Sequence, residues 1–254
     1  MNGPGTGYRI TERAARAAGK ETIMTIHGLQ KMTLLDFPGR VACTIFTAGC
    51  NFRCPFCHNA RLVTELQPTD AMSAEAVLSF LGKRRGLLDG VCITGGEPLL
   101  QTDVADFIAR VRDMGFLVKL DTNGSFPDKL RALIDRGLVD YVAMDIKNSP
   151  EKYAATAGFS SDLLPRVRES IALLLEGRVD YEFRTTVMNE FHEPEDFEAI
   201  GRMIAGAKRY FIQSFVDSGD LIVKETFTAP PQDVLERMRD AVLPFVPSVS
   251  LRGV

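Results

Sequence analysis

Residues 40–59 read RVACTIFTAGCNFRCPFCHN and join an apolar run directly to a group of cysteines. The run at 40–48 is rich in β-branched and aromatic residues, which is typical of a buried strand. Cys50, Cys54 and Cys57 follow it with the spacing C-x3-C-x2-C, and His58 stands directly after the last cysteine. The stretch therefore predicts a strand whose carboxyl end carries three closely spaced thiols.

Five more runs of this kind lie further along the chain, and stretches of helical period separate them. They cover residues 90–95, 115–122, 140–147, 180–188 and 209–215. Six strands alternating with helices imply a parallel sheet covered by helices, and right-handed crossovers curl such a sheet towards a barrel. A complete barrel has eight units, so the chain is about two units short. We predict an α/β fold, a partial (β/α)6 TIM-like barrel that is open along one side.

The N-terminal segment differs in texture from the rest of the chain. Residues 1–24 are polar, rich in Gly and Ala, and lack the apolar core of a secretory signal. They predict a flexible or weakly ordered extension, and residues 25–254 are expected to form one domain. Without a signal we expect a cytoplasmic protein, in which thiols stay reduced. The five cysteines then favour metal binding or catalysis over disulfides.

Charge and hydropathy exclude two classes of partner. The formal net charge of the 254 residues is −3, whereas a nucleic-acid-binding domain is normally basic. The chain has no uninterrupted apolar run of the length that a membrane span needs, about 18 residues or more. We therefore expect neither nucleic acid nor a membrane as a partner.

Polar residues follow the carboxyl ends of the predicted strands, where α/β barrels carry their functional sites. TGGEP at 94–98 follows the second strand, DTNG at 121–124 the third and DIK at 145–147 the fourth. Arg184 lies on the fifth strand and Gln213 on the sixth. These groups and the cysteines are therefore expected to line one face of the sheet.

Three kinds of metal centre compete for the cysteines. A zinc site would take His58 as its fourth ligand, but structural zinc ligands usually come as two pairs separated in sequence. A c-type haem fits the C-x-x-C-H pattern of residues 54–58. Haem attachment of that kind needs an exported chain, however, and it leaves Cys50 without a role.

The third candidate is an iron–sulfur cluster held by only three thiolates. A [4Fe–4S] cluster is normally held by four cysteines, so three leave one iron open. An open coordination position is what a catalytic metal needs. Cys43 and Cys92 lie inside apolar strands and are better explained as small buried hydrophobes.

Several motifs together resemble one enzyme family. CNFRCPFC at 50–57 resembles the signature of radical S-adenosylmethionine (SAM) enzymes, and GGE at 95–97 stands where that family has its methionine-binding motif. The segment GLQKMTLLDFPGR at 28–40, with DTNG, MDIKNSPEKY at 144–153 and EFRTTV at 182–187, is similar to the activating proteins of glycyl radical enzymes. The resemblance is greatest to those of anaerobic ribonucleoside-triphosphate reductases. It runs from about residue 26 to the end.

The resemblance implies a role for each residue of the first two motifs. The three cysteines hold a [4Fe–4S] cluster whose fourth iron chelates the amino and carboxylate groups of SAM. Phe56 lies beside the adenine, although a core aromatic is the alternative. The backbone of Gly95 and Gly96 approaches the methionine part of SAM closely, because neither residue has a Cβ. Glu97 accepts a hydrogen bond from the SAM ammonium.

The ends of the third and fourth predicted strands carry further candidates for the cofactor site. Asp121, Thr122 and Asn123 close the third strand, although Asn123 also fits an ordinary turn. Asp145 and Lys147 are two residues apart and share one face of the fourth strand. The resemblance places this pair beside SAM as the catalytic residues, and a salt-bridged strand end is the alternative. It also implies that Asp121 and Asp145 hold a monovalent cation.

Arg184 and Gln213 are the remaining cofactor-binding candidates. An arginine inside the apolar run YEFRTTV is costly unless it is paired, which favours a role for Arg184, and the resemblance implies contact with SAM. Gln213 is expected near the adenine or ribose. His27 and His192 are expected in solvated loops.

The resemblance implies an activase. It would cleave SAM reductively to a 5′-deoxyadenosyl radical and abstract a hydrogen atom from the Cα of a glycine in a partner enzyme, in the first place class III ribonucleoside-triphosphate reductase. The electron donor would be a flavodoxin- or ferredoxin-type protein. The alternatives are activation of a pyruvate formate-lyase type partner, radical chemistry on a small molecule, and a non-enzymatic zinc or haem module.

Overall fold

A computed structural model describes residues 24–66, 71–159, 163–217 and 219–253. The predicted extension therefore lies outside the described residues up to position 23. Met24 is 3% exposed, and its N–H donates to Asp103 Oδ2 at 2.9 Å. The described part of the chain thus starts in contact with the body of the fold.

The described residues form one sheet of eight strands, which lie side by side in the order in which they occur in the sequence. The strands are β1 Ile26–Thr33, β2 Ala42–Thr47, β3 Gly90–Gly95, β4 Leu117–Thr122, β5 Tyr141–Asp145, β6 Asp180–Val187, β7 Tyr210–Ser214 and β8 Val249–Arg252. β1 pairs antiparallel with β2, and every later neighbour is parallel. Strands β2 to β7 are the six predicted strands, and they confirm the α/β partial barrel.

In the part of the chain that the structure describes, eight helices connect or cover these strands, and a 3₁₀ turn at Pro98–Leu100 follows β3. The helices are α1 Ala60–Thr64, α2 Ala74–Gly82, α3 Val104–Asp113, α4 Pro127–Asp135, α5 Tyr153–Ala157, α6 Leu164–Leu175, α7 Asp196–Met203 and α8 Gln232–Val242. The longer helices bury one apolar face, as in α3, where Val104, Phe107, Ile108 and Val111 are at most 3% exposed.

The two faces of the central strands differ in chemistry. In β4 the residues Val118 and Leu120 join the apolar core, while the alternate residues Lys119 and Asp121 line an interior cavity. This follows from the two-residue period of a strand. The inside of the open barrel is therefore charged, and the helices cover its apolar outside. No helix in the described ranges is long and apolar enough to cross a membrane.

Candidate functional site

The cysteine loop lies between β2 and α1 and is fixed by contacts to distant parts of the chain. The N–H of Arg53 donates to Ala157 O at 2.9 Å, and that of Val223 donates to Pro55 O at 3.1 Å. Gly158 ends α5 with a φ of 66°, and a Cβ at this position would lie 2.1 Å from Arg53 O. Only glycine permits this approach, so the loop packs directly against the end of α5.

The three thiols of this loop are free and partly or fully buried. Burial raises the pKa of Cys50 to about 12 and that of Cys54 to about 11, and it also raises the pKa of Cys57. The positive charge of Lys147 acts in the opposite direction and lowers the pKa of all three thiols. Since metals bind the thiolate, this one partly buried lysine favours the binding form of all three cysteines.

The two glycines after β3 are required by the packing of the chain itself. A Cβ on Gly95, whose φ is 113°, would lie 2.4 Å from Thr47 N, and a Cβ on Gly96 would lie 1.9 Å from Gly49 O. Asn59 Nδ2 also donates to Gly95 O at 2.9 Å. The turn therefore lies directly against β2 and the cysteine loop, and its proposed contact with SAM stays a prediction.

Glu97 is fully buried and holds the end of β4 against this turn. Its Oε1 accepts from Leu99 N at 3.0 Å and Thr122 Oγ1 at 2.9 Å, and its Oε2 accepts from Asn123 N at 2.7 Å. Any contact with SAM would have to share oxygens that the chain already uses. In this structure Glu97 positions Thr122 and Asn123.

The pKa of Glu97 leads to a prediction about stability and pH. Burial raises this pKa to about 7 although three donors oppose the shift. The folded state thus keeps the proton up to about pH 7, whereas the unfolded chain loses it near the ordinary value of 4.5. Rising pH between these values therefore removes stability, by up to about 1.4 kcal/mol per pH unit.

Chemical unfolding of the metal-free protein between pH 5 and 8 tests this sign. The free energy of unfolding of the wild type minus that of Glu97→Gln should fall as the pH rises to 7 and then level off. The matched control is Glu75→Gln, because Glu75 lies on the surface and its pKa is lowered by the hydrogen bond from Arg110. A flat difference for Glu97→Gln would refute the raised pKa.

Five charged side chains form one alternating chain across the inside of the barrel. Lys119 pairs with Asp121 Oδ1, and Arg184 NH2 lies 3.1 Å from Asp121 Oδ2. Arg184 Nε lies 2.5 Å from Asp145 Oδ1, and Lys147 Nζ lies 2.8 Å from Asp145 Oδ2. The sequence predicted that Arg184 must be paired, and in the structure two carboxylates pair with it.

Mutual pairing fixes the charge states of this chain. Burial alone would raise the pKa of Asp145, but Arg184 and Lys147 outweigh it and hold the pKa well below the ordinary value. Burial alone would lower the pKa of Lys147, but Asp145 raises it above the ordinary value. These five side chains therefore stay ionised, as three positive groups and two carboxylates.

The expected monovalent cation does not fit this arrangement. All four carboxylate oxygens of Asp121 and Asp145 face a lysine or the Arg184 guanidinium. A cation between the carboxylates would have to displace Arg184, which already carries a positive charge at that point.

A cavity of about 440 Å³ connects the cysteine loop to this charged chain. Eight predicted site residues line it, together with Asp36, His58, Asn59 and Thr186. The eight are Cys54, Phe56, Cys57, Gly95, Asp145, Lys147, Arg184 and Gln213. A second cavity of about 410 Å³ shares Asp36, Arg184 and Gln213 with the first. The structure thus brings residues from five predicted strand ends to one space.

Phe56 both lines this cavity and packs into an aromatic cluster. Its ring centroid lies 5.6 Å from that of Phe191 and 6.5 Å from that of Phe227. Contact with adenine stays a prediction, because the core role is met as well. The prediction of a solvated His192 was wrong: its side chain is 3% exposed, and Nε2 lies 2.8 Å from Lys147 O.

Sequence reasoning missed several residues of the site. Lys119 is 2% exposed. The argument that predicted a role for Arg184 applies to it as well, because it is a cation inside an apolar run of the sequence. Asp36 lines both cavities and accepts from Thr44 Oγ1 at 2.5 Å. Asn51 and Ser125 hold the Asn123 side chain and carry no comparable signal, since polar loop residues are common.

The donor set suits an iron–sulfur cluster. Within the described ranges, no three His, Cys, Asp or Glu side chains converge as ligands of a single metal ion. A cubane does not require convergence, because each thiolate binds a different iron. Three free thiols, a lysine that favours their thiolates and a cavity lined by Cys54 and Cys57 fit such a cluster.

Fold and site together define a class: an open α/β barrel with a three-cysteine loop and a charged cofactor cavity at the strand ends. The family model of the radical SAM superfamily matches residues 44–204. The chain therefore belongs to the radical SAM superfamily and is a radical SAM enzyme. Membership implies a [4Fe–4S] cluster and SAM, which the cysteine loop and the cavity would hold.

Three known proteins show how far the likeness extends. A protein of Methanocaldococcus jannaschii, provisionally named a glycyl-radical enzyme activating enzyme, is 31% identical over 238 residues, 90% of this chain and 96% of its own. The pyruvate formate-lyase-activating enzyme of Listeria monocytogenes is 31% identical over 146 residues, 52% and 57%. A radical SAM methyltransferase from Sphaerobacter thermophilus shares the fold, with a TM-score of 0.63 at 13% identity over 87% of this chain and 68% of that one.

Proposed function

We propose that this enzyme is an activase that removes a hydrogen atom from the Cα of a glycine in a partner enzyme and leaves a glycyl radical there. The observation that carries the proposal is the similarity, over nearly the whole length of both chains, to a relative named for that activity. When bound, the cluster and SAM would supply the reaction: one electron breaks a C–S bond, and the resulting 5′-deoxyadenosyl radical takes the glycine hydrogen.

The residues of the cavity would bind and orient the cofactor. The cationic groups of Lys147 and Arg184 suit the carboxylate of SAM, and Asp145, which pairs with both of them, would orient them. We propose that Gln213 contacts the adenosine part of SAM and that Thr122 and Asn123 lie next to the cofactor. The monovalent cation is left out of the proposal, because Arg184 occupies the space between the carboxylates of Asp121 and Asp145.

The second cavity offers a path for a glycine of a macromolecular partner. Leu34, Leu35 and Pro38 rim it, and it shares Asp36 and Arg184 with the cofactor cavity. Leu34 and Leu35 are 67% and 90% exposed, which leaves two large apolar side chains for a partner to cover. An uncharged extended segment suits this path, because the lining of the second cavity balances three carboxylates against three cationic side chains.

Class III ribonucleoside-triphosphate reductase is the partner we propose, with a flavodoxin- or ferredoxin-type protein as the electron donor. The support is the resemblance of residues 28–59 and of the DTNG and MDIKNSPEKY motifs to activators of that reductase. A pyruvate formate-lyase type partner is the alternative, since an activator of that enzyme also matches half of this chain. Radical chemistry on a small molecule is the remaining alternative.

Electron paramagnetic resonance tests the function and the partner. The reconstituted enzyme, SAM, dithionite and the reductase should give a glycyl radical doublet under anaerobic conditions. Leu35→Ser should lower the doublet yield at limiting enzyme about tenfold, as loss of one buried leucine contact predicts. In the absence of the partner, the Leu35→Ser variant should form 5′-deoxyadenosine at the wild-type rate.

Leu243→Ser is the matched control, because Leu243 is exposed and lines neither cavity. It should leave the doublet at the wild-type yield. Formation of 5′-deoxyadenosine with no doublet would reject the reductase as partner and direct the test to pyruvate formate-lyase. Equal yields from Leu35→Ser and the wild type would reject the second cavity as the path.

A further inference from the structure

The side chain of Asn123 lies beside a sulfur of the cysteine loop. Asn123 follows β4 and is 6% exposed. Its Nδ2 donates to Cys50 Sγ at 3.7 Å and to Asn51 Oδ1 at 3.0 Å. Among the described residues, Cys50 is the one cysteine of the loop with a side-chain amide donor. This N–H···S contact connects the end of β4 to the cluster site.

Neighbouring donors fix which end of the amide faces the sulfur. Asn123 Oδ1 accepts from Ser125 N at 2.9 Å and from Ser125 Oγ at 2.6 Å. A backbone N–H can only donate, so a flipped amide would place an NH2 group against it. The nitrogen must therefore point to Cys50.

The backbone of Asn123 is held as firmly as its side chain. Its N–H donates to the buried carboxylate of Glu97 at 2.7 Å. Asn51 Nδ2 donates to Ser125 Oγ at 2.9 Å, which closes the network on the other side. Contacts within the protein thus hold the donor in place, and a pre-positioned dipole has little reorganisation to undergo when charge changes.

We propose that Asn123 is a positioning residue that raises the reduction potential of the cluster through its N–H···S hydrogen bond to Cys50. A reduced cluster carries one more negative charge, and part of that charge lies on the cysteine sulfurs. A donor to sulfur therefore stabilises the reduced form more than the oxidised form, and hydrogen bonds to sulfur are among the factors that set cluster potentials. This role differs from the SAM contact that the sequence suggested.

The proposal rests on the cluster of the proposed function but not on its partner or on radical transfer. The midpoint potential is therefore measured without a partner protein, by anaerobic redox titration monitored through the resonance of the reduced cluster. The variants are Asn123→Ala, which removes the amide, and Asn123→Asp, which keeps its shape and the acceptor for Ser125. Both should lower the equilibrium constant for one-electron reduction about tenfold or more, a shift of about 59 mV.

Asn148→Ala is the matched control. It removes a buried side-chain amide that donates to Thr156 Oγ1 and Phe191 O and to no sulfur, so its potential should stay at the wild-type value. An unchanged potential in both Asn123 variants would overturn the proposal, and so would an equal shift in Asn148→Ala. Loss of the cluster in both Asn123 variants, with the cluster kept in the control, would also overturn it, because the residue would then serve assembly.

A glycyl radical assay cannot substitute for this measurement. Shifted potentials together with no radical on any partner would support the role of Asn123 and reject the activase function. Unshifted potentials together with a normal radical doublet would do the reverse. The two conclusions therefore fail separately.

Discussion

Replacing Cys54 with alanine should abolish the cluster and with it the cleavage of SAM. Cys54 is 7% exposed, and its sulfur lies 3.7 Å from Ala157 O, in a part of the loop that α5 holds in place. With one of three thiolates missing, an iron of the cubane loses its only protein ligand. We expect iron to fall from about four per chain to near zero after anaerobic reconstitution.

Formation of 5′-deoxyadenosine from SAM and dithionite should fall more than about 100-fold, beyond the usual effect of a residue that only supports a ligand. Cys43→Ala is the matched control, because Cys43 is fully buried in β2 and lies outside the loop. It should keep wild-type iron and lose only a little stability. Wild-type iron in Cys54→Ala, or equal losses in the two variants, would contradict the ligand assignment.

Replacing Arg184 with methionine should give the largest loss of stability and also weaken SAM binding. The change leaves the buried Asp121 and the partly buried Asp145 near each other with one lysine apiece and no group between them. Removing one partner of a buried ion pair typically costs about 3–5 kcal/mol. For a domain of this size that corresponds to a melting temperature about 10 °C lower.

Arg252→Met separates the two effects of that substitution. Arg252 forms two hydrogen bonds with the buried carboxylate of Glu182, at 3.0 and 3.1 Å, and lines only the second cavity. It should lose some stability and keep the wild-type affinity for SAM, measured by equilibrium dialysis on the reconstituted enzyme. Unchanged SAM affinity in Arg184→Met would remove Arg184 from the cofactor site, and a smaller loss of stability than in Arg252→Met would contradict its central place among the charges.

The parallel core of the sheet was predictable, and its edges were not. Strands β2 to β6 are largely buried on both sides and β7 on one side, and each of them appears as an apolar run in the sequence. β1 is an antiparallel edge strand with three exposed residues in its second half, and β8 has only four residues. Neither gives the continuous apolar signal that identified the others.

The site was predictable as a set of residues and less so as a set of contacts. Strand ends in a parallel sheet converge, which correctly brought Asp145, Lys147 and Arg184 to the cysteine loop. Hydrogen bonds between loops depend on backbone directions that no spacing encodes. For this reason the burial of Glu97 and the donor from Asn123 to Cys50 became visible only in three dimensions.

The anchoring of the cysteine loop on α5 has a consequence for biogenesis. The sulfur of Cys54 and the carbonyl of Ala157 are 103 positions apart in the sequence, and the close approach of Gly158 to Arg53 spans a similar distance. A nascent chain whose synthesis has passed the last cysteine still lacks the surface that shapes the loop. Iron delivery should therefore follow translation past residue 158, and a chain stalled on the ribosome before that residue should not retain iron.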